Sequence, residues 1–373
     1  MDHPISLPAR TPAAAPRSLP ARHVTMVAWR DVASPSAGGS ELLVDQLASG
    51  LTARGDRVSL LCGGPSAGHP YEVIRSGGPY TQFLGAPFAY SRRLRDCDVV
   101  VEICNGMPFL APLWTRKPTV CLVNHVHSDL WPLRFPPPVS AAGRFLEERA
   151  MPWAHRRSLM LTVSPSTARD LEALGVPRSK IRMLTNGVSP AGPPAPRSRE
   201  PLFLALGRLA EYKRIDLLLR LWNRVRPVTG GRLVIAGDGP ERRRLEKLAG
   251  PGVLFTGRIS DERKHRLLSA AWLLLHPALV EGWGLVVSEA ALRGTPAVGF
   301  DVPGLRDSVA DGQTGLLARS ESEFASAWAS LALDPGRRAE LGEAARLRAS
   351  LLTWSTAVRY FSAVIDEAIE DVS

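Results

Sequence analysis

The chain has 373 residues, of which 45% are hydrophobic and 22% are charged. This balance is typical of a globular protein, and the length suffices for two domains. No apolar run approaches the roughly 18–20 residues that a membrane-spanning helix requires. The formal net charge is +10, but the basic residues are dispersed and accompany no recognised base-reading motif, which argues against nucleic acid as a partner.

The amino terminus and the cysteines indicate in which cellular compartment the protein works. Residues 1–22 are rich in Ala, Pro and Arg and contain no continuous apolar stretch. We predict a disordered tail there instead of a secretory signal, with a transit peptide as the alternative. Cys62, Cys97, Cys104 and Cys121 form no C-x-x-C pair. In a chain with a large core, this pattern indicates buried, reduced thiols and a cytoplasmic protein.

Short apolar runs alternate with helix-like stretches from residue 23 onwards. The runs are rich in Val, Leu and Ile and apolar on both faces, as buried parallel strands are. A helix is predicted over Ser40–Thr52, where Leu43, Leu47 and Leu51 share one face, and Gly55 follows as a stop signal. The predicted strands of the first half are His23–Trp29, Arg57–Gly64, Asp98–Cys104, Thr119–His125, Leu159–Pro165 and Ile181–Val188.

A proline-rich stretch near residues 189–201 has the composition of a linker. We therefore predict an α/β protein with a first Rossmann-like domain over 23–190, a linker over 191–201 and a second domain over 202–352. A last helix within 353–373 is predicted either to stay with the second domain or to cross back to the first. The predicted strands of the second half are Leu202–Gly207, Leu233–Gly237, Val253–Gly257, Leu273–Pro277 and Pro296–Phe300.

The strongest chemical signal is a pair of acids, Glu281 and Glu289, separated by seven residues that include a glycine-rich turn. The turn follows a predicted strand and opens a helix, whose free N–H groups favour an anion. Glycines there allow the backbone to approach a ligand closely. A carboxylate before the turn can bind sugar hydroxyls, and one on the helix can bind a ribose.

Here the chain resembles glycosyltransferase family 4, whose signature is E-x7-E, commonly E-G-F-G-x-x-x-x-E; Trp283 replaces the Phe. The resemblance covers nearly the whole chain after residue 22. It implies the GT-B fold, with two Rossmann-like domains facing each other across a donor/acceptor cleft. It also implies retaining, metal-independent transfer from a nucleotide sugar, which is a co-substrate and not a cofactor. Glu281 would be catalytic, and the donor-binding residues would include Gly282, Trp283, Gly284, Leu285 and Glu289.

Two further matches concern the donor phosphates. In Gly207-Arg208-Leu209-Ala210-Glu211-Tyr212-Lys213, the family resemblance gives Arg208 and Lys213 catalytic roles. An arginine and a lysine can stabilise the charge that grows on a departing diphosphate without a metal. The glycines Gly38 and Gly39 resemble the pair with which the family's first domain meets the donor phosphate.

The base-binding positions are less specific. Gly237 follows a predicted strand and would lie near the nucleotide, whereas Arg258 and Ile259 match the place where the family holds the base through backbone contacts. Backbone contacts are poorly specified by side chains. UDP and GDP therefore both remain open as the donor nucleotide.

Two histidines compete for the position that faces the donor sugar. His125 fits the end of a predicted strand better, whereas His127 resembles the family's V-H-x-D pattern; His127 and Asn105 are candidate acceptor-side residues. No third metal ligand stands in a plausible register, so we predict no metal site. The D-x-D at Asp96 and Asp98 precedes a strand and is interpreted as a solvated turn.

The segment 131–157 mixes aromatic residues with arginines, as peripheral membrane contacts do, although the same residues can pack the first domain. The acceptor, a small molecule, a glycan or a lipid-linked compound, and the oligomeric state stay open. The rival interpretations are a nucleotide-sugar epimerase or hydrolase on the same fold and a non-catalytic nucleotide-sugar-binding protein.

Overall fold

The structure is a computed structural model that describes residues 21–78, 80–189 and 192–371. The strands are β1 His23–Arg30, β2 Arg57–Gly63, β3 Glu72–Gly77, β4 Val99–Cys104, β5 Thr119–Val123, β6 Leu159–Thr162, β7 Ile181–Met183, β8 Leu202–Leu206, β9 Arg232–Ala236, β10 Val253–Gly257, β11 Leu273–His276, β12 Ala297–Phe300 and β13 Gly315–Ala318. The helices are α1 Gly39–Ala53, α2 Gln82–Arg93, α3 Trp131–Arg134, α4 Pro137–Phe145, α5 Met151–Ala154, α6 Pro165–Ala173, α7 Ile215–Thr229, α8 Arg242–Leu248, α9 Asp261–Ala270, α10 Leu285–Leu292, α11 Leu305–Ser308, α12 Glu321–Leu333, α13 Pro335–Ser350 and α14 Trp354–Glu370.

The strands form two separate sheets in which the paired neighbours run parallel. The first sheet has the order β3-β2-β1-β4-β5-β6-β7, and the second has the order β10-β9-β8-β11-β12-β13. Each order reverses beside its first strand, between β1 and β4 and between β8 and β11. Parallel sheets of this kind bind ligands beyond the carboxyl ends of the strands at that reversal. The prediction of two Rossmann-like domains is confirmed.

Two strands were missed by the sequence analysis. Strand β3 lies at the edge of the first sheet and carries polar residues, and β13 is a four-residue edge strand of the second sheet. The partly solvated β3 lacks the two-sided apolar pattern on which the prediction rested, whereas β13 is apolar but only four residues long. The run predicted as Thr119–His125 ends at Val123, because Asn124 and the next residues leave the sheet for the cleft.

The last helix packs against the first domain. Phe361 and Ile365 are fully buried in one apolar cluster with Leu47 of α1. A Cβ atom on Gly50 of α1 would lie 2.3 Å from a methyl carbon of Val358, so the two helices approach closely through that glycine. Burial of this apolar face ties the end of the chain to the first sheet.

The amino-terminal boundary differs slightly from the prediction. Arg22, which we assigned to the tail, binds Asp56 at 2.7 Å and is hydrogen-bonded to Ser362 of α14. The remainder of the predicted tail, residues 1–20, lies outside the described residues. No helix in the described ranges is long and apolar enough to cross a bilayer.

Candidate functional site

The predicted acid Glu281 is the centre of a hydrogen-bonded cluster at the carboxyl edge of the second sheet. Its Oε2 atom accepts from Lys213 Nζ at 2.6 Å and from His276 Nε2 at 3.0 Å. Burial alone would raise the pKa of Glu281, but the charge of Lys213 and the hydrogen bond from His276 outweigh it and hold that pKa well below its ordinary value. Glu281 is therefore ionised at neutral pH and can accept hydrogen bonds from a ligand.

A small cavity adjoins this cluster. Loops after β8 and β11 form it, which is the position that the strand reversal predicts. Its lining residues are Ala205, Leu206, Gly207, Arg208, Leu209, Lys213, Ile215, Leu275, His276, Pro277 and Ala278.

The second acid, Glu289, is also paired with a lysine. Its Oε1 atom accepts from Lys264 Nζ at 2.7 Å, and Lys264 also lies 3.0 Å from Asp261. Burial raises the pKa of Glu289 more than the charge of Lys264 lowers it. The two acids thus have separate lysine partners, one on the loop after β8 and one on α9.

The glycine-rich turn brings the two domains into contact. A Cβ atom on Gly282 would lie 2.6 Å from the carbonyl oxygen of Asn124 in the first domain, so only glycine fits there without a shift. Gly284 has a φ of 83° and precedes α10, a backbone conformation that favours glycine. Trp283 does not line the cavity; it packs into the apolar cluster of the first domain and donates its indole N–H to Ser288.

The two candidate histidines stack on each other across from this turn, with ring centroids 3.9 Å apart. His125 faces the second domain, since its Nδ1 atom lies 3.4 Å from the position of a Cβ on Gly282. His127 is turned inward: its backbone N–H donates to Glu147, and its Nδ1 donates to the carbonyl of His125. Glu147 also accepts from the Trp131 indole.

Both rings are neutral at pH 7. Burial, followed by the charge of the neighbouring ring, lowers the pKa of His125 to about 3. Burial also lowers the pKa of His127 to about 4. A neutral imidazole at this place can donate one hydrogen bond and accept another.

These two pKa values predict acid sensitivity. Between pH 6.5 and about 4 the unfolded chain binds protons that the folded protein excludes, so the free energy of unfolding falls as the pH decreases through that window. After a discount for partial exposure, we expect a loss of about 1 kcal/mol per histidine between pH 7 and pH 5. Urea unfolding at pH 7 and at pH 5 measures this loss in the free energy of unfolding. A His127→Gln variant should lose less stability than the wild type over the same interval, and an equal loss in both contradicts the assignment.

The start of α1 supplies the first domain's side of the cleft. Glu41 accepts from the Gly38 N–H at 2.8 Å and from Arg30 Nε at 2.7 Å. Gly39 packs against the second domain, because a Cβ there would lie 3.2 Å from a methyl carbon of Leu285. Asn105 lines a second small cavity beside these residues, together with Trp29 and Arg30.

Positive charge is concentrated where the domains meet. Burial lowers the pKa of Arg208, and the charges of Arg30 and Arg134 from the first domain act in the same direction. The Arg134 guanidinium lies 5.9 Å from the Tyr212 ring centroid, so it reaches the loop that carries Lys213. Among the described residues, neither Arg208 nor Arg134 forms an ion pair. Arginines that lack a carboxylate partner, as Arg208 and Arg134 do, attract a polyanion.

Of the remaining predicted positions, only Gly237 is in contact with a residue that lines the cavity. Gly237 touches Gly207: a Cβ there would lie 1.9 Å from the Gly207 carbonyl oxygen. Arg258 and Ile259 follow β10 at the edge of the second sheet, where Arg258 is exposed and Ile259 is half-buried. Asp98 accepts the His23 N–H at the amino end of β4 and so lies away from the cleft.

Several participating residues were missed by the sequence analysis. His276 and Lys264 were not singled out, although His276 is the last residue of an apolar strand, a position that points at the cleft. Asp307, to which no chemistry was assigned, crosses the cleft and accepts the Ser166 N–H at the start of α6 at 3.0 Å. That contact joins a carboxylate of the second domain to a helix amino terminus of the first.

One buried trio has a metal-binding composition: Glu102, Cys121 and His155. The Glu102 carboxylate already accepts from the backbone N–H groups of Phe109 and Ala111 at 2.6 and 2.7 Å and from His155 at 3.0 Å. These hydrogen bonds anchor the loop after β4. Glu102 is therefore a structural carboxylate whose oxygens already accept hydrogen bonds from the protein.

Comparisons with known proteins match both halves of the chain. The family model described as Glycosyltransferase Family 4 matches residues 37–191, and the one described as Glycosyl transferases group 1 matches residues 193–348. The chain belongs to glycosyltransferase family 4. Glu281, Glu289, Arg208 and Lys213, which the sequence analysis aligned with this family's motifs, all lie within the range 193–348.

Curated relatives of this family 4 chain match it over parts of their length. The D-inositol 3-phosphate glycosyltransferase of Streptomyces avermitilis is 33% identical over 192 residues, which cover 46% of this chain and 40% of that protein. The sulfoquinovosyl transferase of Arabidopsis thaliana is 29% identical over 223 residues, covering 54% and 43%. The chain thus spans less than half the length of these relatives.

Solved structures agree with the fold over nearly the whole chain. Sucrose-phosphate synthase from Thermosynechococcus elongatus superposes with a TM-score of 0.78 at 20% identity, covering 93% of this chain and 98% of that one. HepE of Anabaena, in complex with UDP and glucose, gives a TM-score of 0.74 at 18% identity, covering 93% and 100%. The family 4 chain therefore has the GT-B fold.

Proposed function

We propose that the protein is a retaining, metal-independent glycosyltransferase that moves a hexose from a UDP- or GDP-linked donor to an acceptor bound by the first domain. The observation that carries the proposal is the convergence of Arg208, Lys213 and ionised Glu281 at one cavity. The named relatives, which include glycosyltransferases that act on different acceptors, support the reaction class.

The cations account for departure of the nucleoside diphosphate. Negative charge grows on the phosphate oxygens as the glycosidic bond breaks, and preorganised donors stabilise that charge in the transition state. Arg208 has no ion partner among the described side chains, so its guanidinium is available to a phosphate. Lys213 is shared between Glu281 and the cavity, which fixes its ammonium group before the donor binds.

Metal independence follows from the same cluster in this proposal. A divalent cation in other transferases neutralises the diphosphate; here Arg208 and Lys213, joined by Arg134 across the cleft, would supply the positive charge. No side chain is then required to hold an ion.

Retention of configuration is proposed to proceed by attack on the face from which the diphosphate leaves. The departing phosphate oxygen accepts the proton of the acceptor hydroxyl, so no carboxylate nucleophile is needed. Glu281 would bind hydroxyls of the donor sugar, and Glu289 would bind the ribose. His125, neutral and facing Gly282, would hydrogen-bond the sugar from the first domain.

Four buried, unpaired cysteines support the proposal that the protein works in the reducing cytoplasm. We further propose that it contacts the membrane peripherally. In the segment 131–157, Phe145 and Trp153 are 63% and 59% exposed, but Met151 is buried. That segment is therefore only partly a surface feature, and it is not the surface to which we assign the membrane contact.

Product analysis tests the proposed reaction. The protein is incubated with UDP- and GDP-hexoses and a panel of acceptors in the presence of a chelator, and NMR spectroscopy identifies the product. We expect an acceptor-dependent glycoside that keeps the donor's anomeric configuration. Free sugar as the sole product would indicate a hydrolase, an isomerised donor would indicate an epimerase, and inversion would overturn the proposed mechanism.

A further inference from the structure

Helix α2 is apolar on both of its faces. Its inner face is packed on the first sheet: Ala86 and Tyr90 are buried, and a Cβ on Gly85 would lie 1.8 Å from the Ser76 carbonyl oxygen. The outer face carries Leu84 and Phe88, which are 85% and 59% exposed, and Tyr80 just before the helix is 68% exposed. We call Tyr80, Leu84 and Phe88 the α2 stripe.

The spacing of the stripe makes it one continuous surface. Leu84 and Phe88 are four residues apart on α2, and residues at that spacing share a helix face, while Tyr80 lies two residues before the helix begins. The outer face of a helix on a globular protein is ordinarily polar, whereas two large apolar side chains project from this one and a third precedes it. Exposed apolar side chains grouped in this way mark a surface that binds another apolar body.

Unpaired positive charge adjoins the stripe at Phe88. The Arg92 guanidinium lies 4.2 Å from the centroid of the Phe88 ring, and Arg75 and Arg95 are exposed nearby in the sequence. None of these three arginines has a carboxylate partner in the described ranges, whereas Arg93 pairs with Glu72. Apolar residues flanked by free arginines complement the surface of an anionic bilayer, where the rings enter the interface and the guanidinium groups meet the headgroups.

The stripe begins beside the acceptor-side cavity. The Tyr80 and Trp29 ring centroids are 6.0 Å apart, and Gln82 donates to the Trp29 carbonyl at 3.0 Å. Trp29 lines the cavity that also contains Asn105. A bilayer that received Tyr80 and Leu84 would therefore lie next to the part of the first domain where the acceptor is proposed to bind.

We propose that the α2 stripe docks the protein on an anionic lipid bilayer. The acceptor of the transfer is then a molecule presented at that bilayer, a conclusion that rests on the proposed transferase function.

Vesicle co-sedimentation of the full chain tests the docking without any transfer reaction. The wild type is compared with the L84D/F88D variant on vesicles of phosphatidylcholine alone and on vesicles that also contain phosphatidylglycerol. Leu347→Asp is the matched control, because Leu347 on α13 of the second domain is 55% exposed. We expect wild-type binding to the anionic vesicles, a loss of at least about tenfold in L84D/F88D, and no change in the control.

Charge and location are tested separately. Arg92→Glu should weaken binding to the anionic vesicles about fivefold or more, since each arginine near such a surface contributes about that factor. A second double variant, F145D/W153D, should bind like the wild type. Loss of binding in that variant with retention in L84D/F88D would overturn the proposal.

The remaining outcomes are also decisive. Absence of wild-type binding to both kinds of vesicle overturns the proposal, as does a wild-type dimer that L84D/F88D converts to a monomer, because the stripe would then be an interface between two copies. Nucleotide binding measured on the same variants should be unchanged. If the protein fails to bind vesicles but binds nucleotide normally, the proposed transferase function is unaffected. If it binds vesicles but fails to bind nucleotide, only the proposed transferase function is overturned.

Discussion

Lys213→Ala is expected to lower kcat by about 10²–10³-fold, the range observed when one preorganised donor to a developing anion is removed. The lysine ammonium lies 2.6 Å from Glu281 and lines the same cavity as Arg208. Its loss removes positive charge from the phosphates and leaves Glu281 with His276 alone. Steady-state rates of nucleotide release with a donor and an acceptor measure the effect.

Lys264→Ala is the matched control for this prediction. Lys264 is likewise a lysine bound to a carboxylate of the acid pair, but its partner is Glu289 on α10. We expect this change to raise the KM for the donor with a smaller effect on kcat, because Glu289 is assigned to the ribose and not to the reacting phosphates. Equal kcat values for Lys213→Ala and the wild type would refute the role of Lys213.

Glu281→Gln is expected to cost a similar factor in kcat, about 10²–10³, while keeping the size of the side chain. The change removes the negative charge that Lys213 and His276 hold in place. It also leaves the Lys213 ammonium without its counter-ion. The Lys213 and Glu281 side chains are each 18% exposed. We therefore expect the free energy of unfolding to fall by about 1–3 kcal/mol, which is less than for a fully enclosed pair.

Combining the two changes separates a joint role from two independent ones. Groups that act as a unit give strongly non-additive losses, so the Lys213→Ala, Glu281→Gln double variant should be only slightly slower than either single variant. Thermal melting of all three variants controls for folding. Losses that multiply would show that the two residues act independently of each other.

Local sequence was sufficient for the parts of the site that are short motifs. The E-x7-E spacing, the glycines between the acids and the G-R-x(4)-K loop each lie within ten residues. The apolar runs on both sides of these motifs predict the strands that carry them. Glu281, Arg208 and Lys213 were therefore identified before their contacts were seen, although their roles remain proposals.

Contacts between distant segments were not predictable in the same way. Lys264 and Glu289 are 25 residues apart, and Asp307 is 141 residues from Ser166. Such pairs depend on how α9 lies beside α10 and on how the two domains face each other. His276 is only five residues from Glu281, but a histidine at the end of an apolar strand is ordinarily a core residue.

The same reasoning applies to the alternatives that the sequence left open. The choice between His125 and His127 depends on which ring faces Gly282, and in the structure that ring is His125, because Glu147 and the His125 carbonyl hold His127 inward. The packing of α14 depends on Gly50, which no pattern within residues 353–373 reveals. The α2 stripe was missed because exposure cannot be distinguished from burial in an apolar helix.

Nucleotide binding without metal is the most direct test of the site. Thermal melting of the wild type is measured with a panel of nucleoside diphosphates and a chelator present, since a ligand that binds only the folded protein raises the melting temperature. The proposed site predicts a clear shift with UDP or GDP and a smaller one in Lys213→Ala. No shift with any nucleotide at millimolar concentration would contradict the assignment of this cleft to a nucleotide-sugar donor.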